Sequence, residues 1–438
     1  MRPITDENAI ANPRSGHRDS TSETSLIEPP KSNFKRRFAK WEMVGWLFAA
    51  YFLHQADKQV YSVVLKPMQA DLHLSSFHAG LVVTIFSLVV ACMSPIAGAI
   101  GDRWQRHRII YMTLLIWSLA TAATGLASGM LVLVVARSLI TAGAESFYPP
   151  VSHAYLANWH DRTRAVAISI HQVAQYAGPI ASGFVAAEIA ERYGWRYSFW
   201  SFGIIGALIA LCMAWRLQPD GESRPGNRSP GETREPLFAG FVVCMRMKPV
   251  QQIGLAFACV LFVSIGYGTW APSLFAERFG LSLTQAGFQT SLWISVSAMF
   301  GAVVGGYLSD FLASRGHSRF LLQSAVLMAA SPFVWLLGSA GSLNLALLAL
   351  ACLGVFKGVY EGTLAVSLYD HVDARYRSSA AAVVLLLSNL LAAPSSAILG
   401  FIKDHWDINT AISWLAILFV IASIVLFRAR RYRALGNN

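Results

Sequence analysis

Twelve times along this chain about 20 residues pass with scarcely a charge, the length a helix needs to cross a bilayer core of about 30 Å. The runs lie near 42–66, 77–101, 108–127, 130–156, 165–188, 197–216, 250–275, 284–308, 320–340, 342–368, 378–402 and 408–427. They are continuous rather than alternating. They therefore read as helices, which satisfy their own backbone in lipid, and not as barrel strands. Of 438 residues, 55% are hydrophobic and 13% charged, against about 25% charged in soluble domains. The expected fold is an all-α membrane protein with twelve transmembrane helices.

The net charge of +11 suggests nucleic acid until its distribution is followed. With both termini on the cytoplasmic side, 24 basic residues fall in inner segments. Five fall outside: Lys66, Arg192, Arg196, Arg278 and Lys403. That bias orients a membrane protein, so no nucleic-acid partner is expected. Residues 1–40 are polar and lack the apolar core of a cleavable signal, and are read as a disordered cytoplasmic tail. The five cysteines have no disulfide or metal spacing and are read as packing residues. Metal sites, cofactors and catalytic residues are not expected, and no phosphate-binding loop supports pumping by ATP. The chain is not read as an enzyme.

The chain also repeats itself. Gly98-Ala-Ile-Gly-Asp102-Arg103 ends the second run, with Arg106 and Arg108 following. A fainter copy, Gly306-Tyr-Leu-Ser-Asp310, ends the eighth run 208 residues later. Leu74-Ser75 with Ala79-Gly80 precedes the first, and Leu281-Ser282 with Ala286-Gly287 precedes the second. Arg162-Thr-Arg164 and Arg375-Tyr-Arg377 repeat at an offset of 213. Between the copies, residues 217–249 are rich in Pro, Gly and charge and form a cytoplasmic linker; Leu237–Met247 mixes apolar and basic residues, as a surface segment would. The expected organisation is a bundle over 41–216, a second over 250–427 and a basic tail over 428–438. Gly178-Pro179 and Pro394 are expected to bend the fifth and eleventh spans. Duplication of this kind is the build of a secondary transporter.

At this point the chain resembles the major facilitator superfamily. The loop after the second span is similar to its signature Gly-x-x-x-Asp-Arg-x-Gly-x-Arg-Arg: Gly98, Asp102, Arg103 and Arg108 match, Arg106 is displaced, and Gln105 replaces a glycine. The resemblance implies two pseudo-symmetric six-helix bundles working as a monomer by alternating access. It also implies a conformational latch between the halves at Gly98, Asp102, Arg103, Arg106, Arg108 and Asp310.

Ionisable residues at membrane depth are costly and mark function by default. Six stand out: Asp57 and Lys58 in span one, Arg137 and Glu145 in span four, Lys357 and Glu361 in span ten. Counting about 1.5 Å per residue puts Asp57 and Arg137 at one level, with Glu145 roughly 12 Å deeper and Lys357 near its depth. Asp57-Lys58 with Ser62, and Arg137 through Glu145 to Pro149, resemble the first- and fourth-span patterns of anion:cation symporters, which carry sugar acids and other organic anions. Lys58 stands where those have arginine. Glu145 falls one place late, which on a regular helix is a turn of about 100°. The resemblance implies proton coupling through Asp57, Glu145 or Glu361. Substrate binding would involve Arg137, Lys357, Lys58, Tyr51, His54, His171, Gln172, Gln175, Tyr267, Trp270, Tyr360 and Asn389.

The expected activity is proton-coupled symport of a small organic anion in a bacterial inner membrane, with protons and the lipid bilayer as the other partners. The alternative is a spinster-like or multidrug exporter of lipids or drugs. The latch gives the first testable expectation: Asp102→Asn expresses normally and loses transport, measured as uptake per molecule of purified protein.

Overall fold

A computed structural model describes residues 32–101, 104–160, 163–217, 239–373 and 376–432. It divides into two compact units, Met1–Ala39, whose described part is helical, and Lys40–Asn438, which holds everything discussed below. The described residues are almost entirely helical. The first half contains α1 (Ser32–Val63), α2 (Leu65–Leu72), α3 (Ser76–Gly101) and α4 (Arg106–Thr124). Its fourth span is composite: α5 (Met130–Leu133), a π-turn over Val134–Thr141, α6 (Ala142–Glu145) and α7 (Tyr148–Trp159). Then come α8 (Arg164–Tyr193) and α9 (Trp195–Arg216). A short helix, α10 (Ala239–Arg246), leads into α11 (Lys248–Phe279), α12 (Leu283–Ser314), α13 (Arg319–Ser339) and α14 (Leu343–Tyr369). The last two spans are α15 (Arg377–Ala392) with α16 (Ser395–His405), and α17 (Ile408–Trp414) with α18 (Ala416–Ala429).

Among the described residues, nine segments are long and apolar enough to cross a membrane. The other three of the twelve are α1, α4 and α8, of 32, 19 and 30 residues, all of membrane length at about 1.5 Å per residue. They are the more polar ones because they carry Asp57 and Lys58, Arg106 and Arg108, and His171 with Gln172 and Gln175. The expected transmembrane fold is therefore present. Proline acts unevenly in it. Pro394 breaks the eleventh span outright and starts α16, whereas α8 continues unbroken through Pro179. The fourth span is interrupted just before Pro149-Pro150, neither of which has an amide hydrogen for a preceding turn.

Helix starts are fixed by short polar side chains, as free amides in an apolar setting require. Ser282 and Gln285 form a capping box on α12, and Ser342 accepts from the Leu345 amide on α14. Asp407 starts α17 by accepting from the Thr410 hydroxyl at 2.6 Å and amide at 2.9 Å, and these donors hold its carboxyl down at about 2. Of the linker, the described part α10 packs along the start of α15, with Gly240 against Tyr376 and Ser379.

The two halves meet at the end where α3 and α12 begin. There α3 crosses α16 and α8 crosses α12 at backbone contact: a Cβ on Gly287 would come within 2.6 Å of the Gly183 carbonyl oxygen. Within the second half, α12 and α14 are as close, since a Cβ on Gly358 would lie 2.8 Å from Ala302 N. Small residues are what allow helices to approach this closely in lipid. Gly358→Val should lower the melting temperature of the detergent-purified protein, by roughly 1–3 kcal/mol of overpacking. Gly306→Val, which faces open space, should leave it unchanged.

Candidate functional site

Three helices converge on Asp57. From α1 its Oδ2 accepts Arg137 Nη1 at 2.6 Å from the π-turn and Thr121 Oγ1 at 3.0 Å from α4. Arg137 Nη2 donates to the Asp57 carbonyl at 2.9 Å, and the guanidinium lies 5.4 Å over the Phe86 ring. Asp57 is 1% exposed and Arg137 3%. Charges so buried hold only as a well-formed pair. The structure thus joins the two residues that depth counting placed at one level, and it commits Arg137 to Asp57 instead of leaving it open to a substrate. Thr121 gave no signal in the sequence: one hydroxyl on an apolar helix does not stand out.

Glu145 occupies the next position along the same helix line. Between Arg137 and Glu145 the chain runs as a π-turn, whose wider bonding takes up an additional residue. This corrects the regular-helix expectation for the displaced glutamate: it points inward, 3.5 Å from His54 Nε2 and 3.8 Å from Lys58 Nζ. Its carboxyl also lies within electrostatic reach of Asp57 and Arg137. No protein donor reaches either Glu145 oxygen, Asp57 Oδ1 or either His54 ring nitrogen within hydrogen-bond geometry. Of this cluster only Lys58 is open, with 39% of its side chain accessible.

Behind the cluster stands a wall of stacked rings. Tyr51 lies 4.4 Å from His171 at an interplanar angle of 5°, and Tyr51, His54 and Tyr148 stack at 5.8–5.9 Å, with Trp117 edge-on to His54. Tyr148 donates to the Leu47 carbonyl at 2.7 Å, and Tyr51 to Gln175 Oε1 at 3.3 Å. Tyr51, His54 and His171 are buried, so they are packed supports of the site here, not groups presented to a ligand as expected.

Across from this wall, α14 presents Lys357 and Glu361, paired at 2.9 Å with 23% and 22% of their side chains accessible. Glu361 lies within electrostatic reach of Tyr51 and Tyr176 of the first half. Three residues expected on the same surface are elsewhere. Tyr360 is fully buried beside Phe257. Tyr267 packs among Leu274, Phe275, Leu337 and Ile412 inside the second half. Trp270 is buried, donating to the Ser396 carbonyl at 3.2 Å. Asn389 donates to its own helix at Leu385 O, 2.9 Å. The three aromatics fall where a ring satisfies local packing, a distinction that helical spacing does not carry.

Of the latch, Asp102 and Arg103 lie outside the described residues. Gly98 falls in the last turn of α3, and Arg106 and Arg108 begin α4. Asp310 pairs with Arg319 at 2.9 Å, and Arg319 also reaches Asp370 at 2.9 Å. That cluster ties α12, α13 and α14 of one half together.

Comparison with known proteins completes the picture. Residues 47–396 match the family model described as Major Facilitator Superfamily. The chain belongs to that superfamily. It is a multi-pass membrane protein and a transporter, as the superfamily's members are, rather than an enzyme. Similar proteins include a hexuronate transporter of Bacillus subtilis (strain 168), 26% identical over 89% of this chain and 94% of the relative. A probable sulfoacetate transporter of Cupriavidus necator is 28% identical over 70% of this chain and 72% of its own length. These names bear out the resemblance to the anion:cation symporter branch. Among solved structures, a bacterial homologue of the human lysosomal transporter Spinster superposes with a TM-score of 0.76 at 20% identity, covering 90% of this chain and 97% of that one, and shows the shared fold.

The buried pair makes a stability prediction. Arg137→Gln alone strands a buried carboxylate and should cost about 3–5 kcal/mol. Adding Asp57→Asn should recover much of that. Thermal unfolding of the two single variants and the double variant measures the coupling.

Proposed function

We propose that this transporter moves a small organic anion, such as a sugar acid, together with protons, by alternating access. The observation that carries the reading is the Glu145–Lys58 contact at 3.8 Å, between a buried carboxyl that lacks hydrogen-bond donors and the partly accessible lysine beside it. A proton and Lys58 compete for the same carboxylate. With Glu145 protonated, Lys58 is released and available to a substrate carboxylate; with the proton gone, Glu145 reclaims Lys58 and the anion loses its partner. Asp57, electrostatically coupled to Glu145, links the proton to the Arg137 pair that joins α1 to the fourth span. On the facing half, Lys357 supplies a second cation and Glu361 an acceptor for substrate hydroxyls. A carboxylate with several hydroxyls meets that set better than an apolar amphiphile does.

The positive-inside distribution favours a cytoplasmic placement of both termini, in a bacterial inner membrane. It puts the end where α3 and α12 begin outside. A monomer suffices, since the charged groups invoked here come from one chain. The names of the relatives, hexuronate and sulfoacetate transporters, support an anion as cargo.

In proteoliposomes, Glu145→Gln should abolish accumulation of labelled sugar acid driven by a pH gradient while retaining counterflow exchange. Undiminished gradient-driven uptake would remove Glu145 from the coupling. Transport of lysophospholipid in place of sugar acids would favour the exporter reading.

A further inference from the structure

Helices α3 and α12 begin alike. The duplicated Ser75 and Ser282 each stand just before their helix, accepting the His78 amide and the Gln285 amide at 3.2 Å. The next free amides of each helix turn to a carboxylate from the opposite half. Asp404 of α16 accepts from Ser76 N at 2.9 Å and Phe77 N at 2.8 Å. Glu191 of α8 accepts from the Thr284 amide at 3.1 Å and its hydroxyl at 2.7 Å, while Glu188 reaches that hydroxyl at 3.3 Å.

Glu191 and Asp404 are 213 residues apart, the same offset that separates Arg162-Thr-Arg164 from Arg375-Tyr-Arg377. They occupy one position of the ancestral repeat. Each places its negative charge on the positive N-terminal end of a helix in the other half, where an anion is favoured. About one turn further in, the duplicated Gly80 and Gly287 bring the same helices to backbone contact. The neighbouring charges are already engaged: Lys403 with Glu277 at 3.0 Å, and Arg192 with Glu188.

We propose that Asp404 and Glu191 are positioning residues that hold this end shut, a symmetric pair of carboxylate clamps that sets how often the chain opens here. The proposal rests on the two halves alternating and not on the identity of the cargo. Alternation requires these contacts to break and reform in every cycle. Removing their charge leaves each half folded but shifts the balance toward opening at this end.

The test uses the full chain in proteoliposomes, with its five cysteines replaced by serine and Ser291→Cys as reporter. Ser291 is buried just inside Gly287, where its hydroxyl accepts from Gln59 of the other half at 3.1 Å. A membrane-impermeant maleimide is applied from each side in turn. Asp404→Asn combined with Glu191→Gln should speed labelling from the clamped end by about fivefold or more, with no matching rise from the opposite side. Asp404→Glu, which keeps the charge, should label nearly as slowly as the parent. Should the double variant fail to fold, Thr284→Val, which removes one donor and no charge, should shift labelling in the same direction. Unchanged labelling overturns the proposal, and so does an equal rise from both sides, which signals general loosening. No substrate is used, so the outcome is independent of whether the cargo is an organic anion.

Discussion

A charge within a bilayer must be paired, neutralised or given water, and the ionisable residues of this chain sort themselves by which of these they have. Asp57 and Arg137 are paired and dry, at 2.6 Å with a threonine hydroxyl completing the contact. Lys357 and Glu361 are paired but partly open. Glu145 has neither a complete pair nor a donor, and sits between the closed and the open groups. That gradation runs from the support of the first half to the space facing the second. The proposed exchange of a proton for a salt bridge rests on the group at the middle of it, Glu145.

Much of the fold was legible because lipid imposes a simple rule: a spanning segment must be long, apolar and helical. The apolar runs follow from residue counting. The depth of Asp57 and Arg137 was legible too, since a uniform rise per residue needs no tertiary information. What counting missed is rotation and partner choice. Glu145 looked displaced because a regular helix was assumed; the π-turn over Val134–Thr141 is a feature of backbone bonding with no marker in composition. Tyr267, Trp270 and Tyr360 lie on spans that face the other half, but on the wrong sides of them. Thr121, Glu191 and Asp404 escaped notice for different reasons: the first is small, and the acids lie at helix ends, where charge is ordinary.

The duplicated Ser and Gly pairs show why a repeat can be kept while its chemistry drifts. The serine starts the helix and the glycine permits the crossing, and both roles tolerate few alternatives. The acid that reaches over from the other half needs only a carboxylate at the right height, so glutamate in one copy answers to aspartate in the other. In contrast, Asp310 and its partners bind one half to itself, and that copy has drifted furthest from the Gly98–Arg108 signature.

Closure at this end is also bounded in strength. An anion at an accessible helix N-terminus contributes roughly 0.3–1 kcal/mol, so the two clamps together supply about 0.6–2 kcal/mol. Inverting a two-state balance from 1:99 to 99:1 takes about 5.5 kcal/mol. The clamps therefore bias the equilibrium without locking it, and the glycine crossings add contact that is lost as soon as the helices part. On the proposed mechanism, releasing Lys58 from Glu145 acts on α1, the helix whose Gln59 reaches Ser291 beneath the α8–α12 crossing. On that mechanism a modest change in the pairing tips a closure this shallow, as a carrier that must reopen in every cycle requires.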